Sequence, residues 1–140
     1  KEVSEKSIKG MHVLLAEDNE LNMEIAEFLL QNEGAQVTKA WNGQEAVEIF
    51  KKSRPDEFDV ILMDIMMPVM NGYEAAKMIR TLDRDDAKTV PIIAMTANAF
   101  TEDRLRSKES GMNEHIAKPI NAKVLVKVIS ELMENKEEDS

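Results

Sequence analysis

The 140-residue chain contains no cysteine, which removes disulfide staples and thiolate zinc sites from consideration. Its two histidines, His12 and His115, lie far apart without metal-ligand spacing, so any bound metal would be a hard cation held by oxygen. No apolar run approaches the length that crosses a bilayer, and no signal-peptide pattern opens the chain. These absences predict a soluble, cytoplasmic domain without direct membrane contact. Clustered Lys and Arg are also missing: 18 basic against 27 acidic residues leave a net charge of -9. Neutralising phosphates takes grouped cations, so nucleic acid is not expected as a partner of this chain. Part of the acidity lies in Glu131 to Asp139, where it marks a solvated end. The length suits one domain that buries roughly two-thirds of its unfolded surface.

What is present is organised around Phe58 to Gly72, where the apolar run Val60-Ile61-Leu62-Met63 delivers Asp64 into a loop rich in Met and closed by Pro68 and Gly72. A strand without polar residues is covered on both faces, as in a parallel sheet. Around it, residues 1–10 read as a polar linker and Val13 to Ala16 as a first buried strand ending at Glu17-Asp18. Asn19 is placed to cap a helix whose inner face is expected at Ile25, Ala26 and Leu29, with Leu21, Met23, Phe28 and Leu30 widening the apolar arc beyond what one sheet face needs. Ala35 to Ala40 alternates like an edge strand, and Asn42-Gly43 turns into a helix with Ala46, Val47 and Phe50 inward. A third helix presents Ala75, Met78, Ile79 and Leu82, followed by a polar stretch from Asp83 to Thr89. Strand four is Pro91 to Met95, ending at Thr96. Between Thr101 and Gly111 only Leu105 is apolar among side chains of any size, so the fourth helix is expected to be the least firmly held. Glu114 to Ala117 is a short fifth strand ending at Lys118, and Asn121 caps a last helix with Leu125, Val128, Ile129 and Leu132 inward. Residues 136–140 read as a disordered acidic tail, which leaves 11–135 as the domain.

Five strands alternating with five helices predict a single α/β doubly wound domain with a parallel sheet. If the strand order is 2-1-3-4-5, the strand ends bring Glu17, Asp18, Asp64, Thr96 and Lys118 to one pocket at the carboxyl edge, where such sheets bind ligands. Three adjacent carboxylates repel one another unless protonated or neutralised by a cation. Oxygen-only ligands point to Mg²⁺ or Mn²⁺, held by Glu17, Asp18 and Asp64 with a main-chain carbonyl near Met66 and water. Asp64 can then attack a phosphoryl donor while Lys118 and the metal hold the charge on the transferring oxygens. Thr96 would donate its hydroxyl to the new phosphoryl group, and small Ala97 leaves the approach open. Taken singly, each has a plainer reading: Thr96 as a strand-end hydroxyl, Lys118 as a surface ion-pair partner, Glu17-Asp18 as acids favoured at a helix N-terminus.

The segments Leu15-Ala16-Glu17-Asp18-Asn19, Met63-Asp64 through Asn71-Gly72, Ala94-Met95-Thr96-Ala97-Asn98-Ala99 and Gly111 through Lys118-Pro119-Ile120 resemble the receiver domains of two-component response regulators, most of all those fused to hybrid sensor histidine kinases. The resemblance implies the (βα)5 flavodoxin-like fold with strand order 2-1-3-4-5. It implies Mg²⁺-dependent transfer of phosphate from a phosphohistidine to Asp64, self-catalysed dephosphorylation, and Glu17 and Asp18 as metal-binding acids. Thr96 and Lys118 become phosphate contacts, and the bond before Pro119 is expected to be cis. It also implies a histidine kinase or histidine phosphotransfer domain as partner, docking on the first helix, and a histidine kinase as parent polypeptide. Two departures stand out. Glu17 replaces the commoner Asp and is expected to reach the metal through water, while His115 stands where many receivers carry a Tyr or Phe switch residue; Thr96 and His115 are the expected switch, acting on the face around the fourth helix and the fifth strand. Met66 and Asn98 flank the path of an attacking water. Apolar Met66 cannot orient it, so a long-lived phosphoryl group is expected. Three rivals fit less well. A phosphatase with an aspartate nucleophile would have a second Asp where Met66 stands, an FMN-binding relative would have a phosphate loop after Leu15, and a non-catalytic interaction module leaves the five strand-end residues without a purpose.

Overall fold

The structure, a computed structural model, describes residues 7–97 and 104–138; the side chains of 104 and 135–138 are not considered. Five parallel strands form one sheet in the order β2-β1-β3-β4-β5: β1 (His12–Ala16), β2 (Gln36–Ala40), β3 (Val60–Asp64), β4 (Ile92–Thr96) and β5 (Glu114–Ala117). β1 pairs with both β2 and β3, so the chain reverses its winding between β1 and β3, and Ala16 sits opposite Met63 just before the acids emerge. Six helices are assigned among the described residues: α1 (Glu20–Asn32), α2 (Gly43–Lys52), α3 (Gly72–Arg80), α4 (Asp85–Thr89), α5 (Arg104–Glu109) and α6 (Ala122–Glu138). The expected five became six because the polar stretch after α3 winds into the short α4. None of these helices is long and apolar enough to cross a membrane.

Alternation within each strand sends residues to two cores. Leu14, Ile61, Met63, Ile92 and Ala94 face α2 and α3, while Val13, Leu15, Val60, Leu62, Ile93, Met95 and Ile116 face α1 and α6. Burial of each large side chain contributes about 1.5–3 kcal/mol, and β3, buried at all five positions, anchors both layers. Asn19 and Asn121 cap helices as expected, accepting from the Asn22 N–H at 2.9 Å and the Lys123 N–H at 2.8 Å, and Asn42, read as part of a turn, also caps α2 by accepting from the Glu45 N–H at 2.8 Å.

Four details differ from the sequence reading. α1 buries Met23, Ala26 and Leu30, spaced i, i+3 and i+7, whereas Ile25 is 45% exposed and joins Leu21 and Phe28 on the outer face. Its apolar arc is wide enough that periodicity alone left the rotation open by one residue. α3 buries Tyr73, Ala75, Ala76 and Ile79 and leaves Met78 exposed; Leu82 lies beyond its end. Ile8, inside the segment read as linker, is fully buried beside Val13 and Leu30, and the Gly10 N–H donates to the Gly34 carbonyl at 2.9 Å. At the other end, α6 continues through Glu138 into the acidic tail.

Candidate functional site at the carboxyl edge of the sheet

Each strand of the central trio ends by handing a polar side chain to the same edge, because right-handed crossovers return the chain to start every strand from the opposite edge. Glu17 follows β1, Asp64 closes β3, Thr96 closes β4 and Lys118 follows β5 by one residue. Glu17, Asp64 and Thr96 are all at most 4% exposed, while Asp18 is exposed. Ligand oxygens of Glu17, Asp18 and Asp64 lie within 4.8 Å of one another. The Lys118 Nζ stands between two of these acids, 2.9 Å from Glu17 Oε1 and 3.0 Å from Asp64 Oδ2. The Asn19 N–H donates to Glu17 Oε2 at 3.1 Å and the Met66 N–H to Asp64 Oδ1 at 3.3 Å, so both carboxylates are held from two sides. The Lys118-Pro119 bond is cis, as the resemblance implied.

One cation for this many acids leaves the site short of positive charge. Burial, and then the negative charge of Glu17, push the Asp64 carboxyl up to about 6, which the bond from Lys118 only partly offsets. For Lys118 burial works the other way, but its bonds to Glu17 and Asp64 outweigh it and hold the ammonium above its ordinary value. A carboxylate that retains a proton nearly to neutrality while its neighbour ammonium stays charged is one that a second cation would stabilise. The donor set, three carboxylates and no nitrogen or sulfur ligand, fits a hard divalent ion.

The sequence profile of the response regulator receiver domain matches residues 13–130. This chain belongs to that family. The receiver is 37% identical over 131 residues to hybrid signal transduction histidine kinase I of Dictyostelium discoideum, covering 92% of this chain but 8% of that protein. It thus spans only a small part of the kinases it matches. It is also 36% identical to the polar-differentiation response regulator DivK of Brucella anthropi, covering 84% of this chain and 91% of DivK. Among solved structures, the receiver domain of a Pseudomonas aeruginosa sensor histidine kinase, which has a magnesium ion coordinated in its active site cleft, superposes with a TM-score of 0.79 at 37% identity, covering 89% and 98% of the two chains. Vibrio cholerae chemotaxis protein CheY4 gives a TM-score of 0.79 at 31% identity, covering 88% and 98%.

The remaining residues singled out in the sequence are placed as follows. Ala97 is exposed beside Thr96, and Met66 is 77% exposed on the β3–α3 loop of the receiver. Asn98 lies outside the described residues. His115 is half-buried, and its Nε2 lies 2.7 Å from the Oγ of Ser107, a fully buried residue of α5. Ser107 escaped the sequence reading because one serine in a polar stretch carries no periodic signal. Leu105 is 65% exposed, so burial in this helix falls to Ser107 instead.

Proposed function

We propose that this receiver accepts a phosphoryl group on Asp64 from the phosphohistidine of a histidine kinase or a histidine phosphotransfer domain. The observation that carries the reading is the Lys118 ammonium bridging Glu17 and Asp64 beside Asp18, a buried nucleophile set among groups suited to phosphoryl oxygens. A carboxylate oxygen of Asp64 attacks phosphorus, the phosphorus–nitrogen bond of the donor breaks, and the departing imidazole takes up a proton. Lys118 holds the charge that spreads over the transferring oxygens, and Thr96 and the chain at Ala97 receive the phosphoryl group. Glu17, Asp18, Asp64 and the Met66 carbonyl would hold Mg²⁺ or Mn²⁺; when bound, the ion supplies further positive charge to those oxygens. Thr96 and His115 then act as the switch, the latter through the bond of its ring nitrogen to Ser107 rather than through a Tyr or Phe side chain. Exposed Met66 gives an attacking water no polar guide, so the phosphoryl group persists for longer than seconds.

The donor docks on α1. Leu21, Ile25 and Phe28 are 64, 45 and 66% exposed along one side of that helix, and a cleft of about 40 Å³ lined by Ile25, Asn22, Glu17, Lys118, Pro119 and Ile120 runs from this side to the two residues of the Lys118–Glu17 ion pair. A hybrid histidine kinase is the parent polypeptide that its relatives favour, with the receiver on the cytoplasmic side, and its output is a protein contact or relay of phosphate to another histidine. Mass spectrometry after acetyl phosphate and Mg²⁺ tests the central claim. The native chain should gain roughly 80 Da, the mass of one phosphoryl group, and Asp64→Asn should gain nothing. No gain in the native chain would leave it an interaction module of receiver fold.

A further inference from the structure

At the edge opposite the acids, where β4 and β5 begin, the molecule gathers positive charge. A cavity of about 570 Å³ opens there, lined by Arg80 at the end of α3, Lys88 of α4, Lys108 of α5, and Asn113, Glu114 and His115 around the start of β5. Three permanent cations thus stand against one carboxylate, in a chain whose net charge is -9. The Arg80 guanidinium is held in place by the protein itself. Its Nε–H and an Nη2–H donate to the Gly111 carbonyl at 3.0 and 2.7 Å, an Nη2–H to Asn113 Oδ1 at 3.0 Å, and an Nη1–H to the Ala87 carbonyl at 3.1 Å. Gly111, at φ +97°, makes room for it, since a Cβ there would lie 2.7 Å from Arg80 Cγ. All of these acceptors are neutral. No carboxylate among the described residues balances the half-buried guanidinium, and burial pushes it down to about 10. Lys88 Nζ likewise donates only to carbonyls, those of Arg80 at 2.7 Å and Leu82 at 2.8 Å, and the Lys108 ammonium has no hydrogen bond or ion pair among the described residues. The C-terminus of α3 offers these cations about half a negative charge, far less than three.

We infer that this cavity is a binding site for a polyphosphate anion, held by Arg80, Lys88 and Lys108. Guanidinium and ammonium groups are suited donors for phosphate oxygens, and a guanidinium fixed beforehand loses little freedom when the anion arrives. The volume lies in the range that holds small-molecule ligands. Among the described residues no Phe, Tyr or Trp lines the cavity, so recognition runs through the phosphate chain and not through stacking on a base. The site is independent of the chemistry proposed for Asp64, and the bound anion lies beside His115.

Calorimetric titration with inorganic tripolyphosphate, and separately with ATP, tests the site in buffer free of divalent metal. Lys108→Ala should weaken tripolyphosphate binding about tenfold, the loss of one charge-assisted bond, and Lys108→Arg should restore it. Lys123→Ala removes the same charge from the exposed start of α6 and should stay within about twofold of native. Equal affinity for ATP admits a nucleotide as well as the inorganic chain, and weaker binding of ATP restricts the site to the latter. Tighter binding of ATP would overturn recognition through phosphate alone. In NMR spectra the anion should move the signals of His115, Gly111 and Asn113 and leave those of His12 unchanged. No binding by the native chain, equal losses in Lys108→Ala and Lys123→Ala, or shifts at Lys118 in place of His115 would overturn the site.

Discussion

At Asp64, a proton and the proposed divalent cation would compete for the same oxygens. Its carboxyl titrates near 6 in the fold against 3.8 for the free side chain, raised mainly by burial and by Glu17. A folded pKa above the unfolded one means that the native state binds the proton more tightly. Asp64 therefore contributes stability that is fully present below 3.8 and lost as pH rises through 6. In metal-free protein the difference in Tm between Asp64→Asn and native should widen in favour of the variant from pH 4 to 7. Mg²⁺ affinity should strengthen over the same interval and level off above it, measured by titration calorimetry. An affinity independent of pH between 5 and 7.5 would contradict this account. Glu17, Asp64 and Thr96 were legible in the sequence because each directly ends an apolar run, and Asp18 and Lys118 because they follow at the ends of strands β1 and β5. The Ser107 partner of His115 was not, since a hydrogen bond between two elements leaves no mark on either one's local pattern.

Among the elements, α2 depends on a residue outside it. Arg84, just before α4, donates to the carbonyls of Phe50 at 2.9 Å, Ser53 at 3.0 Å and Arg54 at 3.0 Å, closing the C-terminus of α2, and its guanidinium lies 4.8 Å from the Phe50 ring centre. Two further bonds, 2.7 and 2.8 Å, tie it to buried Asp86, whose Oδ2 also accepts from the Asp56 N–H at 2.9 Å. Arg84→Ala leaves these acceptors unpaired and should cost about 2–4 kcal/mol in urea unfolding at pH 7; a loss below about 0.5 kcal/mol would show the network to be ornamental. The bond from Arg84 holds the Asp86 carboxyl below its ordinary 3.8, so this part of the stability is present above 3.8 and fades as pH falls through the lower folded value. The variant should therefore lose less than native on acidification. α1 makes a different prediction. Phe28→Ser removes an exposed ring, so stability should stay within about 0.5 kcal/mol, while phosphoryl transfer from a phosphotransfer domain should slow; an unchanged rate would remove α1 as the docking face. The rotation of α1 was hidden by its broad apolar arc, and α4 by the polarity of its residues.

For the whole molecule, core packing extends ahead of the first strand. Ile8 is fully buried against the layer formed by α1, α6 and the sheet, so Ile8→Ala should cost about 3 kcal/mol in urea unfolding, the usual penalty for a buried cavity. A change of a few tenths would mean that the segment before β1 is only a tether. The sequence by itself determined the number of strands, their parallel pairing and the common edge at which Glu17, Asp64, Thr96 and Lys118 emerge. Apolar runs of strand length, separated by helical repeats, admit few connections once crossovers are right-handed. Tertiary structure alone decided that Lys118 bridges two acids, which face of α1 stays exposed, that Arg84 closes α2, and that Val69 takes a left-handed turn. Each of these arises from contacts between residues distant along the chain, and periodicity within a short window carries no information about such contacts.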